Sequence, residues 1–366
     1  MVQYEVTEFY AYDMKFFFPK EAYILKIKNI LAVLLCLAMA VGALASCGGE
    51  DKLTTSAGLT FSLNEDKQSY TCTGLGACID TDLVIDTYKG LPVTAVKSNA
   101  FFGCKNLTSV TLGDSVTDIG EWSFHGCTKL TSVSLGKNVT TIGFGAFDNC
   151  YRLAEVVNNS ALEITVGSQD HGYIALHALE VHGGDSKISR QDGFVFYPLN
   201  GVQYLLTYTG KDAAVTLPDS YLGGTYVIRR YAFSGSDSLN TVKLGNGVTS
   251  IGESAFSGCP NLILVSLGDK VASIDDYAFF GCTALQAVPM SNSVTSIGAC
   301  AFQNCQTLTS ITLPQSLTSL GQKAFFGCNA LNAVYFTGSS DAWTALVENL
   351  DTGIPASAEI HFDHQP

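Results

Sequence analysis

The stretch Ala255–Ile274, AFSGCPNLILVSLGDKVASI, decides the fold. Its first five residues recur along the chain. AFFGC begins at Ala100, Ala278 and Ala324, and near copies begin at Ser123, Ala146, Ala232, Ala255 and Ala301. Within the groups 100–146 and 232–324 every start is the previous one plus 23, and a fixed period of this length is the mark of a solenoid. The shared pattern is A-F-x-G-C-x-x-L-x-x-V-x-L-x-x-x-V-x-x-I. Val265 and Leu267, two apart, face one side of a short strand, and Val271 and Ile274 return a second apolar segment to the same core. Ala255 and Phe256 fit a short helical turn whose phenyl ring plugs that core. The fourth position holds only Gly or Asn: Gly103, Gly126, Asn149, Gly235, Gly258, Gly281, Asn304 and Gly327. These two residue types accept positive φ most readily, which predicts a left-handed residue closing each turn. One such coil cannot bury its own apolar face; stacked coils cover one another. Pairing of strands from successive coils predicts one long parallel sheet.

The composition agrees with a folded, turn-rich β protein. Of 366 residues, 47% are hydrophobic and 14% charged, and 35 are glycine. Acids outnumber bases 33 to 20, for a net charge of -13. Such a surface repels phosphate backbones, so no nucleic-acid partner is expected. Lys26 and Lys28, then an apolar run over 30–45, then Leu44-Ala45-Ser46-Cys47, read as an export signal ending in a sequence that resembles a bacterial lipobox. Cys47 is the expected lipidation site and the expected first residue after cleavage, so the membrane is met through a lipid anchor only. The stretch before Met14 reads as neither signal nor domain, which leaves Met1 and Met14 both as candidate starts. The small polar run that follows Cys47 reads as a flexible tether.

The phrases NLTSVTLGDSVTDIGEWSFHGCTKL (106–130) and TLTSITLPQSLTSLGQKAFFGC (307–328), with the flanks LVIDTYKGLPVTAV (83–96) and VYFTGSSDAWTAL (334–346), resemble the BspA-like leucine-rich repeat proteins of bacterial surfaces. The resemblance spans about residues 70–365. It implies a β-rich solenoid of short parallel strands, and it implies surface display, with adhesion to host matrix glycoproteins in some members. The chain divides accordingly into a signal (1–46), tether (47–69), N-terminal cap with a half-repeat (70–99), a first block of three repeats (100–168), an interruption (169–231), a second block of five repeats (232–346) and a C-terminal cap (347–366). The interruption, with DGFVFYPLNGVQYLLTYTG over 192–210, alternates strand runs with turn residues and predicts β-hairpins followed by a second half-repeat. Over 339–350 an amphipathic helix is expected, capped by Ser339 or Ser340, with Trp343, Leu346, Val347 and Leu350 on one face.

Seven repeats carry cysteine at the fifth position (Cys104, Cys127, Cys150, Cys259, Cys282, Cys305, Cys328) and one carries Ser236. Zinc needs about four ligands converging on one point, whereas equivalent positions on stacked coils form a line. Neighbouring thiols would lie side by side rather than face to face. The expected role is a buried ladder of small side chains. Cys72 and Cys78, in CTGLGAC before the first full repeat, are a possible cap disulfide in an exported chain.

Catalytic patterns are weak. Ser134 and Lys137 match S-x-x-K formally, but Lys137 falls in a turn. His171, His177 and His182 in the interruption, and His361 and His364 in the tail, read as strand and turn residues. No metal, cofactor or enzymatic activity is expected. What remains is surface. Ser109, Thr111, Ser132, Ser134, Thr241, Lys243, Ser266, Ser310, Thr312 and Tyr335 alternate with core positions and are expected to form an outward, hydroxyl-rich strand face for proteins or glycans of the host or the envelope. Tyr204, Tyr208, Tyr221, Tyr226 and Tyr231 add aromatics to the interruption. The leading reading is a non-catalytic, lipid-anchored surface binder or adhesin. The alternative is a structural spacer or scaffold for another envelope component.

Overall fold

The computed structural model describes residues 53–363. Cys47, the apolar run before it and His364 lie outside them. The described chain is a β-solenoid. Parallel pairing keeps the step of the sequence repeat: Val110 lies opposite Val133 and Val133 opposite Val156. Farther along, Ser250, Ser273, Ser296 and Ser319 are successive partners. A typical full coil supplies a strand to one sheet, such as Ser132–Leu135, and a second strand to another, such as Thr141–Ile142. The apolar positions of the pattern face inward; Leu262, Val265, Val271 and Ile274 are all buried.

The A-F-x-G-C phrase forms turns rather than a helix. Its N–H groups alternate in direction. Those of Ala100, Phe102 and Cys104 bond within the turn to Lys97, Asn99 and Phe101. Those of Phe101 and Gly103 bond to Ser123 and His125 of the next coil. This alternation needs left-handed residues at two places. The fourth position is one, with φ between 60° at Asn149 and 77° at Gly327. The residue before the phrase is the other: Asn99, Trp122, Gly145, Tyr231, Ser254, Tyr277, Cys300 and Lys323 all have φ between 54° and 65°. Seven of these eight are not glycine, and bonds to the next coil hold them there, as from Trp122 N to Phe144 O (3.1 Å).

Inside the turns the phenyl rings stack. Phe101, Phe124 and Phe147 have centroids 5.0 and 5.2 Å apart. Phe233, Phe256, Phe279, Phe302 and Phe325 follow at 4.8–5.5 Å, with planes within 9° of parallel. Full burial of each ring contributes about 1.5–3 kcal/mol, and the near-constant spacing makes every coil a template for the next.

Four further expectations change. First, the strand face is not one sheet. It divides into a five-stranded sheet ending at Glu180–His182 and two three-stranded sheets. The break between the latter falls at Ala287–Pro289, where one isolated bridge replaces a strand, because Pro289 has no N–H to donate. Second, the segment read as tether is ordered from residue 53. Thr60–Leu63 pairs antiparallel with Tyr70–Gly74, and Thr55 Oγ1 accepts from the N–H groups of Asp86 and Thr87. Third, 169–182 belongs to the first stack. Phe147 N donates to Gly172 O, Ile174 and Ala175 enter the core, and Glu180–His182 pairs parallel with Glu155–Asn158. Fourth, the C-terminal helix is short, Ser340–Leu346, with Ser339 Oγ accepting from Ala342 N (3.3 Å). Beyond it, Asp351 O and Thr352 O receive the N–H groups of Lys323 and Phe325, and Glu359–His361 adds to the strand Ala333–Phe336. These residues close the last coil by supplying what a further repeat would.

The interruption contains the expected antiparallel strands: Ser189–Gln191, Phe194–Leu199 and Val202–Tyr208 in sequence. The tight turn is Asn200-Gly201, both at positive φ (50° and 79°), as a two-residue hairpin requires. There are two large apolar cores, one within residues 59–178 and one within 194–343, and the hairpin supplies Phe194, Phe196 and Leu205 to the second. A small cluster of Ala154, Val195, Tyr197 and Leu206 lies between. Two buried arginines cross the join. Arg152 donates forward from Nε to Tyr231 O (2.5 Å) and from Nη2 to Ser234 O (2.8 Å). Arg229 donates back to the carbonyls of Arg152, Leu153 and His177.

Candidate functional site

The strand face expected to bind is partly occupied by the chain itself. On the five-stranded sheet, Ser132 is buried, and its Oγ donates to Glu155 Oε2 (2.7 Å). Glu155 has no exposed surface. The segment after Glu180–His182 folds over it. Ser186 Oγ donates to Oε2, Lys187 N donates to Oε1 (2.6 Å), and His182 Nε2 lies 3.1 Å from Oε1. Farther along the same segment, Arg190 reaches Asp82 (2.6 Å), which already accepts from Thr108 and Ser109. Ser132 therefore serves internal packing, while Ser109, engaged by Asp82, and Thr111 and Ser134 remain half-exposed. On the end strand of this sheet the Lys187 ammonium, and then the Tyr197 hydroxyl, hold the Glu180 carboxyl below its ordinary range by hydrogen bonding.

Ser186, Glu155 and His182 bring a hydroxyl, a carboxylate and an imidazole together, but all the donors converge on the carboxylate. Among the described residues no hydroxyl bonds to the His182 ring, so the geometry is not that of a nucleophile beside its base. Lys137 pairs with Asp114 (2.9 Å) in its turn. His177 lends its carbonyl to Arg229, and His361 stacks on Tyr335 at 4.8 Å. No group of three His, Cys, Asp or Glu among the described residues is placed to hold a metal ion.

In the second block the face is more open but divided. Lys243 and Ser310 are exposed, and Thr241, Ser266 and Thr312 half-exposed.

The cysteines are a hydrogen-bonded ladder. Each thiol donates to the phenylalanine carbonyl of the preceding coil: Cys127 to Phe101, Cys150 to Phe124, Cys259 to Phe233, Cys282 to Phe256, Cys305 to Phe279 and Cys328 to Phe302, all at 3.0–3.3 Å. The two members that open a block, Cys104 and Ser236, have no preceding Phe coil and make no such bond, which explains why serine is tolerated there. Burial pushes the Cys127 thiol up to about 12 and Cys150 well above its usual value. Cys282 and Cys305 are raised by hydrogen bonding to the neighbouring thiol and then by burial. Cys72 and Cys78 are both buried free thiols. Cys72 lies within the strand Tyr70–Gly74, wholly buried, and burial raises its thiol to about 12. Cys104 and Cys300 are half-exposed. Iodoacetamide treatment of the native chain, read by peptide mass mapping, is expected to label these two. Cys72, Cys78 and the six ladder thiols should be modified only in denaturant; native labelling of the ladder would show that the coils open.

A different surface carries exposed aromatic residues. On the turn edge of the first block, Phe102 stacks on His125 (4.7 Å), His125 meets Trp122 edge-on (5.1 Å), Trp122 meets Phe144 (5.1 Å) and Phe144 meets Tyr173 (5.7 Å). Phe102 and Phe144 are 56% and 59% exposed, unlike Phe101 and Phe147, the buried rings of the same turns. The signal is present in the sequence: the variable third position of the phrase and the residues just before it hold aromatics in this block.

Among solved structures, the chain is similar to a leucine-rich cell surface protein from Faecalibacterium prausnitzii, at 22% identity over 81% of this chain and 98% of that one, with a TM-score of 0.44. It is similar to the pneumococcal vaccine antigen PcpA at 17% identity over 86% and 94%, with a TM-score of 0.45. A leucine-rich repeat protein from Bacteroides ovatus matches at 20% identity over 86% and 76%, with a TM-score of 0.36. No curated protein sequence matches. The model of the BspA type leucine-rich repeat region matches residues 88–171 and 213–341 in six copies. Because those segments cover more than half of the chain and contain its stacked coils, the protein belongs to the BspA type leucine-rich repeat family.

Proposed function

We propose that this chain is an exported surface protein, anchored by lipid at Cys47, that binds a protein or glycan partner without chemically changing it. The observation that carries the reading is the turn-edge row Phe102, His125, Trp122, Phe144 and Tyr173. The solenoid already buries one phenyl ring per coil, so stability does not call for a second row outside. Two exposed rings, Phe102 and Phe144, joined through half-buried Trp122, His125 and Tyr173, make the kind of aromatic surface that serves as a binding anchor. The half-covered hydroxyl face, with Lys243 and Ser310, is a secondary contact area in this reading.

The test is a panel of immobilised matrix proteins and glycans probed with the full chain, alongside the double variant Phe102→Ser/Phe144→Ser. Binding is expected to fall at least about 30-fold in the variant, the loss of one anchor residue of about 2 kcal/mol, with melting temperature little changed. A silent panel, or a variant that binds as well as the parent, would sink the proposal. In cells, Cys47→Ser is expected to move the chain from the membrane fraction to the soluble fraction.

A further inference from the structure

Where the two blocks join, four cations gather on a strongly acidic chain. Lys105, Lys129 and Arg152 line a cleft of about 410 Å³. An adjoining cleft of about 250 Å³ shares Lys129 and Arg152 and adds Lys211. The larger volume lies within the range of small-ligand sites, about 300–1,000 Å³. None of the four forms an ion pair with a carboxylate among the described residues; Asp237 is the one acid lining either cleft. Arg152 is 4% exposed and held by the Tyr231 and Ser234 carbonyls, so its charge is fixed in place and unneutralised. Burial, followed by the nearby charges of Arg152 and Lys211, lowers the Lys129 ammonium from its ordinary value. A cluster of like charges left unpaired costs stability unless an anion joins it.

The remaining walls narrow the class of anion. Tyr151 and Tyr231 line the larger cleft with ring centroids 5.2 Å apart and planes tilted by 34°, and both are half-buried. Asn106, Thr128 and Ser234 supply neutral hydrogen-bonding groups. Aromatic faces beside hydroxyls and an amide suit a sugar ring, which has apolar C–H faces and a rim of hydroxyls. The cations suit a carboxylate or sulfate carried on that ring. We infer that the inter-block cleft is a binding site for an acidic saccharide, with Lys105, Lys129 and Arg152 meeting its anionic group and Tyr151 and Tyr231 meeting its ring. The assignment rests on the reading of the chain as a surface binder and gives that reading a ligand class.

Calorimetric titration of the full chain in detergent uses five probes: a hyaluronan tetrasaccharide, a chondroitin sulfate tetrasaccharide, neutral chitotetraose, a glutamate-rich peptide and inorganic phosphate. The carboxylated or the sulfated saccharide is expected to bind at least about tenfold more tightly than the other three, and which of the two prevails identifies the anionic group. Lys105→Gln and Lys129→Gln should each weaken it about tenfold, the loss of one charge-assisted hydrogen bond. Tyr151→Leu should weaken the saccharide as well. Equal binding of chitotetraose, the peptide or phosphate overturns the assignment, as does unchanged affinity in Lys129→Gln with an unaltered melting temperature. Failure of the broader reading looks different: the purified chain would bind the acidic saccharide in a Lys129-dependent way while intact cells expose none of it. If cells bind partners but Lys129→Gln has no effect, the cleft assignment alone is lost.

Discussion

Phe279→Ala lowers the stability of the chain by about 3–5 kcal/mol, read as a fall in the urea midpoint at unchanged slope. Phe279 is fully buried, and its ring lies between Phe256 at 5.3 Å and Phe302 at 5.2 Å. A cavity is costly when its walls cannot close over it, and these walls are pinned. Phe279 N donates to Ala301 O (2.7 Å), and Phe279 O accepts from Cys305 (3.2 Å). The backbones on both sides are thus fixed by bonds that do not depend on the ring. The truncation strips stacking contacts from two neighbours at once, so the loss should be larger than at a terminal ring such as Phe325. A loss below about 1 kcal/mol, under the usual range for such a truncation, would mean that the rings merely fill space and that another feature sets the spacing of the coils.

Arg229→Met separates the unfolding of the two blocks. The substitution keeps an unbranched apolar stem and removes the guanidinium, leaving the carbonyls of Arg152, Leu153 and His177 without that donor. A buried polar group stranded in this way costs about 1–3 kcal/mol, so the total loss is expected to be about 3 kcal/mol or more. The location matters more than the size. In a solenoid, stability is a sum of coil terms and nearest-neighbour terms, and the apolar contact at the join is a small cluster, Ala154, Val195, Tyr197 and Leu206 with partly buried Leu179, Ile188, Leu199 and Tyr204 packed on it. Weakening that single interface should turn one cooperative transition into two in scanning calorimetry. Hydrogen exchange should then assign the lower one to a single block. One transition at an unaltered temperature would show that Arg229 does not couple the blocks.

The periodic parts of the fold are legible because a period multiplies weak signals. No single Gly reports a left-handed residue, but eight aligned positions restricted to Gly and Asn do, and all eight have positive φ. The second left-handed position is not legible, because Trp122, Tyr277, Cys300 and Lys323 share no side-chain property. It is imposed by bonds to the next coil, not by the residue's own preference. The extra coil at 171–182 lacks the phrase, and its pairing of Glu155 with Glu180 falls out of step with the repeat. The covered strand face is hidden for a related reason. Ser132 meets Glu155 in register, as a period predicts, but Ser186 and Arg190 arrive from an aperiodic segment whose path no local pattern encodes. Likewise the cleft brings Lys129 and Tyr151 to Tyr231 across the interruption.

The equality of the coil-to-coil steps bears on how the gene can change. Phe256–Phe279 and Phe279–Phe302 are nearly the same contact, at 5.3 and 5.2 Å, so one coil removed or added between them leaves every remaining ring with an equivalent neighbour. Misaligned recombination between the coding segments for AFFGC at Ala278 and Ala324 would delete or duplicate whole coils and preserve the reading of the stack. The crossed arginines of the join occur once and have no such substitute. Among relatives, copy number within a block should therefore drift freely while the join stays single.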